Sequence, residues 1–413
     1  MDIASKKPPL SGIRVLELAR VLAGPWAGQM LADMGADVIK VENPEGGDDT
    51  RAWGPPFVES ADGENLSAAY YHSTNRGKRS IAVDLKTEEG QAIVRRLAAQ
   101  SDVLIENFKL GGLKKYGLDY ESLKKVNPKL VYCSITGFGQ DGPYASLAGY
   151  DYIVQGMSGF MSITGEPEGQ PMKAGVAIAD IFTGIYAVTA IQGALIHAMR
   201  TGEGQQVDMA LLDVMSSVLA NQNMNYLISG ISPVKLGNAH PNISPYEVIP
   251  VHDGHIILAV GNDGQFRRFC RILGIEHVAD DERYATNKAR VAHRIEVRSL
   301  LTAETMKWTK ADLLAACGEN AVPVGPINST GEMFEDPQVK ARGLRIDLEA
   351  ADGTIIPGVR SPIVLSETPL AYHRPSPKNG EHTDEILAEL NAIEEESNQW
   401  KEPGKPSKGP AAS

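Results

Sequence analysis

A parallel, doubly wound α/β sheet with a smaller α+β domain is the fold predicted for this chain of 413 residues. The prediction rests on three features of the sequence. Short apolar runs alternate with segments of helical period through the first third, and strands separated by helical crossovers pair in parallel. Near residue 231 the texture changes, and period-two alternation in YEVIPV and HIILAV suggests a hairpin. The length suits two domains, one of which can be discontinuous.

In order, IRVLEL (13–18) reads as a strand and PWAGQMLADMGA (25–36) as a helix with proline in its first turn. DVIKVE (37–42) and RSIAVDL (79–85) are strands. TEEGQAIVRRLAAQ (87–100) is a helix whose first turn carries acids, as the helix dipole favours. DVLIENF (102–108) and KLVYCSITGFG (129–139) continue the alternation. GVAIA (175–179) reads as a short buried strand. From Ile181 to Arg200 apolar residues recur at helical spacing with no proline. QQVDMAL supplies another strand, and a helix is expected from Asp263 or Gly264. Helical segments dominate to about 320, and the tail from Glu394, rich in Glu, Pro, Lys and Ser, is expected to be disordered.

A net charge of −12 argues against nucleic acid as a partner. The local clusters Lys78–Arg79 and Lys109/Lys114/Lys115 remain available to an anionic small molecule. No run approaches the ~18 uninterrupted apolar residues of a membrane span, and MDIASKKPPLSG lacks the apolar stretch of a signal peptide. Cys133, Cys270 and Cys317 form neither a disulfide framework nor a CxxC pair, which suits reduced thiols in a cytoplasmic protein.

Several chemistries are tested by their motifs. The loop ELARVLAGPWAG lacks G-x-G-x-x-G, although Glu42 stands where a ribose-binding acid belongs. Gly24 and Gly28 do not provide the close backbone approach to a pyrophosphate, so no NAD is expected. GMSGF (156–160) has Phe160 where the last glycine of a nucleophile elbow belongs, which argues against a serine hydrolase. The nine histidines form no H-E-x-x-H and no Cys/His metal spacing, so no metal is expected. Asp180 lies between GVAIA and the long apolar helix. An Asp at such a junction commonly caps the helix; the alternative is a nucleophile in a pocket, and the local residues leave both open.

An ordered set of stretches resembles the class III CoA-transferase family, which includes formyl-CoA, carnitine and dicarboxylate CoA-transferases. They are SGIRVLELARVLAGPWAGQMLADMGADVIKVENPEGGDDTRAWGPPF, NRGKRSIAVDLKTEEG, DVLIENFKLGGLKKYGLDYESLKKVNPKLVYCSITGFGQDGPY, AGYDYIVQGMSG, GVAIADIFTG, TGEGQQVDMALLD, GNDGQF and GEHTDEIL. The resemblance runs to about residue 390. It implies a Rossmann-like large domain (1–215), a linker (216–230), a small domain (231–330), a segment returning to the large domain (331–393) and a tail (394–413). It also implies two subunits interlocked as a homodimer, like chain links.

The resemblance makes Asp180 the nucleophile, with the N-terminal field of its helix expected to keep the carboxylate ionised. It makes GNDGQ a glycine loop shielding the site through Gly261, Gly264 and Gln265, a stretch that unaided reads as a loop-to-helix turn. Coenzyme A, carried as acyl-CoA, is assigned to Arg20, Val21, Leu22 and Ala23, with Val83, Lys86, Asn107, Phe108, Lys115 and Tyr116. Asn43 and Ala148 depart from formyl-CoA transferase, which has cations there. GDDTRAWGPPFV and HPNISPYEVIP look most like the succinate/glutarate branch. Arg51, Tyr70, Tyr150 and Asp151 are assigned to the carboxylic acid substrate, Arg51 binding a second carboxylate bidentately or pairing with Asp48 or Asp49. Asp151 can instead cap the helix that follows it.

Two alternatives are weighed. A 2-methylacyl-CoA racemase of the same family carries His before Asp in its G-H-D segment; here the segment is Gly149-Tyr150-Asp151, and Tyr is a poor base near neutral pH. A non-catalytic CoA-binding protein needs neither Asp180 nor GNDGQ.

Overall fold

The computed structural model describes residues 6–60 and 63–401. The chain divides into two compact units. The first comprises the described residues of Met1–Ser158, Ala174–Val218 and Gly343–Ser413, the second Gly159–Lys173 and Leu219–Arg342. The expected small domain, 231–330, lies inside the second unit, which begins earlier and also takes in Gly159–Lys173.

The first unit is built on six parallel strands: β1 (Arg14–Glu17), β2 (Asp37–Glu42), β3 (Arg79–Ala82), β4 (Val103–Glu106), β5 (Val131–Thr136) and β6 (Gln206–Ala210). Their order is β3-β2-β1-β4-β5-β6, the doubly wound arrangement in which ligands bind at the carboxyl ends of the strands beside the β1/β4 switch point. Val15 is in register with Val38 on one side and Val103 on the other.

Helices cover both faces, so the strands are apolar throughout rather than alternating. On one face, helix α2 (Glu88–Ala99) and the C-terminal helix Thr383–Lys401 pack Val94, Leu97, Ile386 and Leu390 against Leu16, Ile39, Ile81 and Leu104. Thr87 starts α2 as its N-cap, its hydroxyl accepting the Gly90 N–H at 3.0 Å. On the other face lies helix α1 (Ala23–Asp33). Helices α3 (Asp151–Met157), α4 (Ile178–Thr201) and α5 (Leu211–Ser217) complete the unit's main helical layer. Among the described residues α4 alone has the length and composition to cross a membrane; here it packs on α1, α3, α5 and the last two strands.

The second unit is α+β, as expected. Strands β7 (Tyr246–Val251) and β8 (Gly254–Ala259) form the hairpin, and β9 (Val324–Pro326) pairs antiparallel with β8. Ile249, Ile256 and Leu258 pack with Phe266, Phe269, Val297 and Leu301 from the surrounding helices.

Two expectations change. GVAIA is not a strand: Val176 is 63% exposed and α4 already begins at Ile178. β6 ends the sheet without it. The C-terminal helix continues past Glu394 to Lys401, because Ile386 and Leu390 dock its first turns and the Glu-rich continuation has good helix propensity; the rest of that tail, 402–413, lies outside the described residues. Two hairpins, Phe57–Glu59 with Asn65–Ala68 and Arg345–Glu349 with Ile355–Val359, add to the first unit.

Candidate active site

The carboxyl edge of the sheet collects the residues singled out above. Arg20, Val21, Leu22 and Ala23 leave β1, Val83 and Lys86 leave β3, and Asn107 and Phe108 leave β4, with Lys115 and Tyr116 a little beyond. Across the switch point Asn107 ties the two loops together. Its Oδ1 accepts the Arg20 N–H at 2.9 Å and its Nδ2 donates to the Arg20 carbonyl at 2.7 Å. Val83 is buried, and Phe108 and Tyr116 lie half-buried on the core. Lys86 and Lys115 are exposed, the Lys115 ammonium lying 4.6 Å from the centre of the Tyr116 ring.

Asp180 stands in the first turn of α4, two residues past its first residue. It does not cap that helix. The cap comes from Asp151, whose Oδ2 accepts the Ala179 N–H at 2.7 Å and the Asp180 N–H at 3.4 Å. Gln155 holds Asp151 in place with a 2.6 Å bond to Oδ1, while its own Oε1 accepts the Ala174 N–H at 2.9 Å. The amides expected to hold Asp180 ionised are therefore engaged by a second carboxylate. Burial and the Asp151 charge push the Asp180 pKa up to about 7.

Tyr70 is the other neighbour. Burial and then the charges of Asp180 and Asp151 push its pKa up to about 12, so it stays a neutral hydroxyl donor. Trp53 meets its ring edge-on at 5.4 Å. Tyr150 is 68% exposed just before α3.

Arg51 does not serve as expected. Its Nε and Nη2 form a fork on Glu42 at 2.8 and 2.7 Å, Nη2 also reaches the Tyr71 hydroxyl and the Pro377 carbonyl, and Nη1 bonds Ser67. With its fork closed on Glu42, Arg51 has no bidentate face for a substrate. The pairing is structural, and the partner is neither Asp48 nor Asp49. Glu42 in turn takes the Ser80 hydroxyl at 2.7 Å, which occupies the acid that a ribose would need. The Lys78–Arg79 pair is likewise internal. Lys78 is wholly buried on Glu17, and Arg79 pairs with Asp37, Glu385 and Glu389.

Sequence reading missed Glu17 and Lys40, and named Asp48 only as a partner for Arg51. Lys40 bridges Glu17 at 3.0 Å and Asp48 at 2.9 Å, and Lys78 reaches Glu17 at 2.8 Å, all four side chains being excluded from solvent. Gly28 makes room for them: a methyl group there would overlap the Glu17 carboxylate. Gly24 gives the same closeness to Ala19. A charge inside each of two apolar strands, IRVLEL and DVIKVE, was the available signal.

In the second unit GNDGQ is a loop-to-helix turn. Asn262 caps helix α6 (Asp263–Ile272) by accepting the Gln265 N–H at 2.9 Å, and Gln265 Oε1 accepts the Gly261 N–H at 2.7 Å. Neither Gly261 nor Gly264 has a positive φ, and no backbone crowds either position. The fold of the unit does not itself demand glycine there. Among the described residues no cluster of three or more His, Cys, Asp or Glu is arranged to hold a metal ion.

A profile of CoA-transferase family III matches residues 10–383. Over 393 residues, 95% of this chain and 98% of the relative, the sequence is 79% identical to succinate–glutarate CoA-transferase of Agrobacterium fabrum. It is 41% identical over 384 residues to succinyl-CoA:glutarate CoA-transferase of Homo sapiens, covering 92% of this chain and 86% of the relative. The crystal structure of a CaiB/BaiF family protein from Brucella suis matches with a TM-score of 0.84 at 60% identity, covering 93% of this chain and 100% of that one.

Proposed function

The chain belongs to CoA-transferase family III, and we propose that it moves CoA between dicarboxylates, succinyl-CoA and glutarate being the pair its relatives' names suggest. The observation that carries the reading is Asp180: a partly buried carboxylate, more basic than usual, in the first turn of α4, one turn before Gly184 packs on Ala23 at the start of α1. A raised pKa strengthens the ionised carboxylate as a nucleophile.

In this reading an Asp180 oxygen attacks the thioester carbonyl. The C–S bond breaks, CoA thiolate leaves, and a mixed anhydride joins the acyl group to Asp180. The thiolate then attacks the aspartyl carbonyl and expels the donor acid, giving an aspartyl-CoA thioester. The acceptor carboxylate attacks that thioester, thiolate leaves again, and its return to the acyl carbonyl releases the new acyl-CoA and Asp180. No proton is gained or lost over the cycle. Each addition places negative charge on a carbonyl oxygen and needs a preorganised donor. The neutral Tyr70 hydroxyl supports that part of the reading.

With Arg51 closed on Glu42 and the Tyr70 hydroxyl given to the reacting carboxyl, recognition of the second substrate carboxylate falls to Tyr150. Asp151 becomes a positioning residue. CoA lies along Arg20–Ala23 with Val83, Lys86, Asn107, Phe108, Lys115 and Tyr116. The protein works as an interlocked homodimer in the cytoplasm, where Cys133, Cys270 and Cys317, all buried and unpaired, would stay reduced. The deciding experiment is to incubate the protein with succinyl-CoA, trap with hydroxylamine and map the label by peptide mass. A hydroxamate at Asp180 is expected; a label elsewhere, or none, overturns the assignment.

A further inference from the structure

Side chains from outside the β1–α1 loop hold its backbone at Ala19, Arg20 and Val21, and one more holds the first turn of α1. Lys40 Nζ donates to the Ala19 carbonyl at 2.9 Å. Asn107 makes its two bonds to Arg20. The Asp48 carboxylate accepts the Val21 N–H, 3.3 Å from each oxygen, and Lys78 Nζ donates to the Pro25 carbonyl at 2.9 Å. Three of these clamps, Lys40, Asp48 and Lys78, belong to the single solvent-excluded ion network centred on Glu17.

Val21 has φ +73°. That left-handed conformation is a genuine outlier for a β-branched residue, and it persists only where the surroundings over-determine it. A wholly buried ion network is a weak source of stability, because desolvation offsets the attraction and apolar residues of equal volume do as well. Here a costly network and a strained residue meet in one loop, at the switch point of the sheet.

We propose that the Glu17–Lys40–Asp48–Lys78 network is the positioning device of the acyl-CoA site, holding the Arg20–Ala23 loop in the left-handed Val21 conformation that receives the ligand. This rests on the reading of that loop as a CoA contact, and adds a role for four buried side chains placed behind it. Asp48 is the link between network and strain. It bonds Lys40, the Val21 N–H and both the N–H and hydroxyl of Thr50, the last two at 3.0 and 2.8 Å.

The test is equilibrium dialysis of CoA itself, with Tm in parallel, on Asp48→Asn, Asp48→Ala and Asp48→Ala combined with Val21→Gly. Asn keeps an acceptor for the Val21 N–H and should weaken binding only slightly. Ala should raise Kd about tenfold or more, as expected for loss of a charge-assisted bond. KM for acyl-CoA should rise with it while kcat at saturation changes far less. Adding Val21→Gly should recover much of the binding, since glycine takes positive φ without a clamp. An unchanged Kd in Asp48→Ala overturns the proposal, as does a raised Kd that Val21→Gly does not improve. If the Ala variant does not fold, Asp48→Asn decides with and without Val21→Gly: a slightly raised Kd that Val21→Gly restores supports the proposal, and a lowered Tm with unchanged Kd, or a raised Kd that Val21→Gly does not improve, overturns it. Wild-type protein that binds no CoA would instead defeat the assignment of the loop, whatever the variants do.

Discussion

Asp180 and Asp151 meet at the first turn of α4, and what each does follows from which of them takes its amides. Asp151 takes the helix N–H groups, while Asp180 is left with burial and a like charge that raise its pKa to about 7. Because attack needs the ionised form, kcat/KM is expected to fall on the acid side with a limb near pH 7. Asp151→Asn removes the like charge yet keeps a capping side chain; its limb should move to lower pH with little loss of Tm. Asp151→Ala should move the limb the same way and also cost about 1 kcal/mol of stability for the lost cap. An unmoved limb in both variants would mean that another group titrates. Asp180→Asn should fold and lose transfer, since an amide is no nucleophile. The sign of its stability effect also follows. A carboxyl with a raised folded pKa binds its proton more tightly when folded, so its contribution is present at low pH and is lost as pH rises through about 7. The loss accrues between the unfolded value near 3.8 and about 7, so the Tm of Asp180→Asn should exceed wild type at pH 8 and converge with it only below about pH 4.

At the scale of elements, the packing of α1 on β1 depends on two glycines that no motif demanded. Gly28→Ala would drive a methyl group into the Glu17 carboxylate, breaking the pairings of Lys40 and Lys78. Disrupting a buried pair costs about 3–5 kcal/mol, so the denaturant midpoint should drop sharply or the protein fail to fold. A near wild-type midpoint would show that Glu17 can move aside. The strands were legible in the sequence because burial on both faces makes them nearly continuous apolar runs. For the same reason GVAIA misled: an apolar run of that length suits a strand only if another strand is free to pair with it, and β6 ends the sheet without it. Arg51 misled differently. A cation in a Gly/Asp-rich loop looks free when its neighbours are judged by sequence, but its partner Glu42 comes from the preceding strand. Pairings made across the fold, such as Asp151 capping a helix 28 residues away, leave no local pattern, whereas the position of Asp180 ahead of a long apolar helix did.

For the molecule as a whole, α4 carries the strongest unanswered demand. Ile185, Tyr186, Ile196 and Met199 recur at helical spacing along one exposed stripe, although the opposite side is packed on α1 and the sheet. Tyr152, Ile153 and Met157 of the neighbouring α3 are exposed as well. Single apolar residues on a surface need no account, but so many exposed on two helices that pack together mark a contact. The chain visits the first unit three times, so an interlocked homodimer that covers these residues would be hard to separate without unfolding the unit. Sedimentation velocity across decreasing concentration should therefore show a dimer and no folded monomer, with dissociation appearing only where circular dichroism reports loss of structure. Ile196→Glu places a charge within the stripe, and the expected product is aggregated or unfolded chain in place of a soluble monomer, because burying an unpaired carboxylate is costly and exposing the stripe is no alternative. A stable, folded monomer, from wild type on dilution or from the variant, would mean that the exposed stripe is covered by something other than a second copy of this chain.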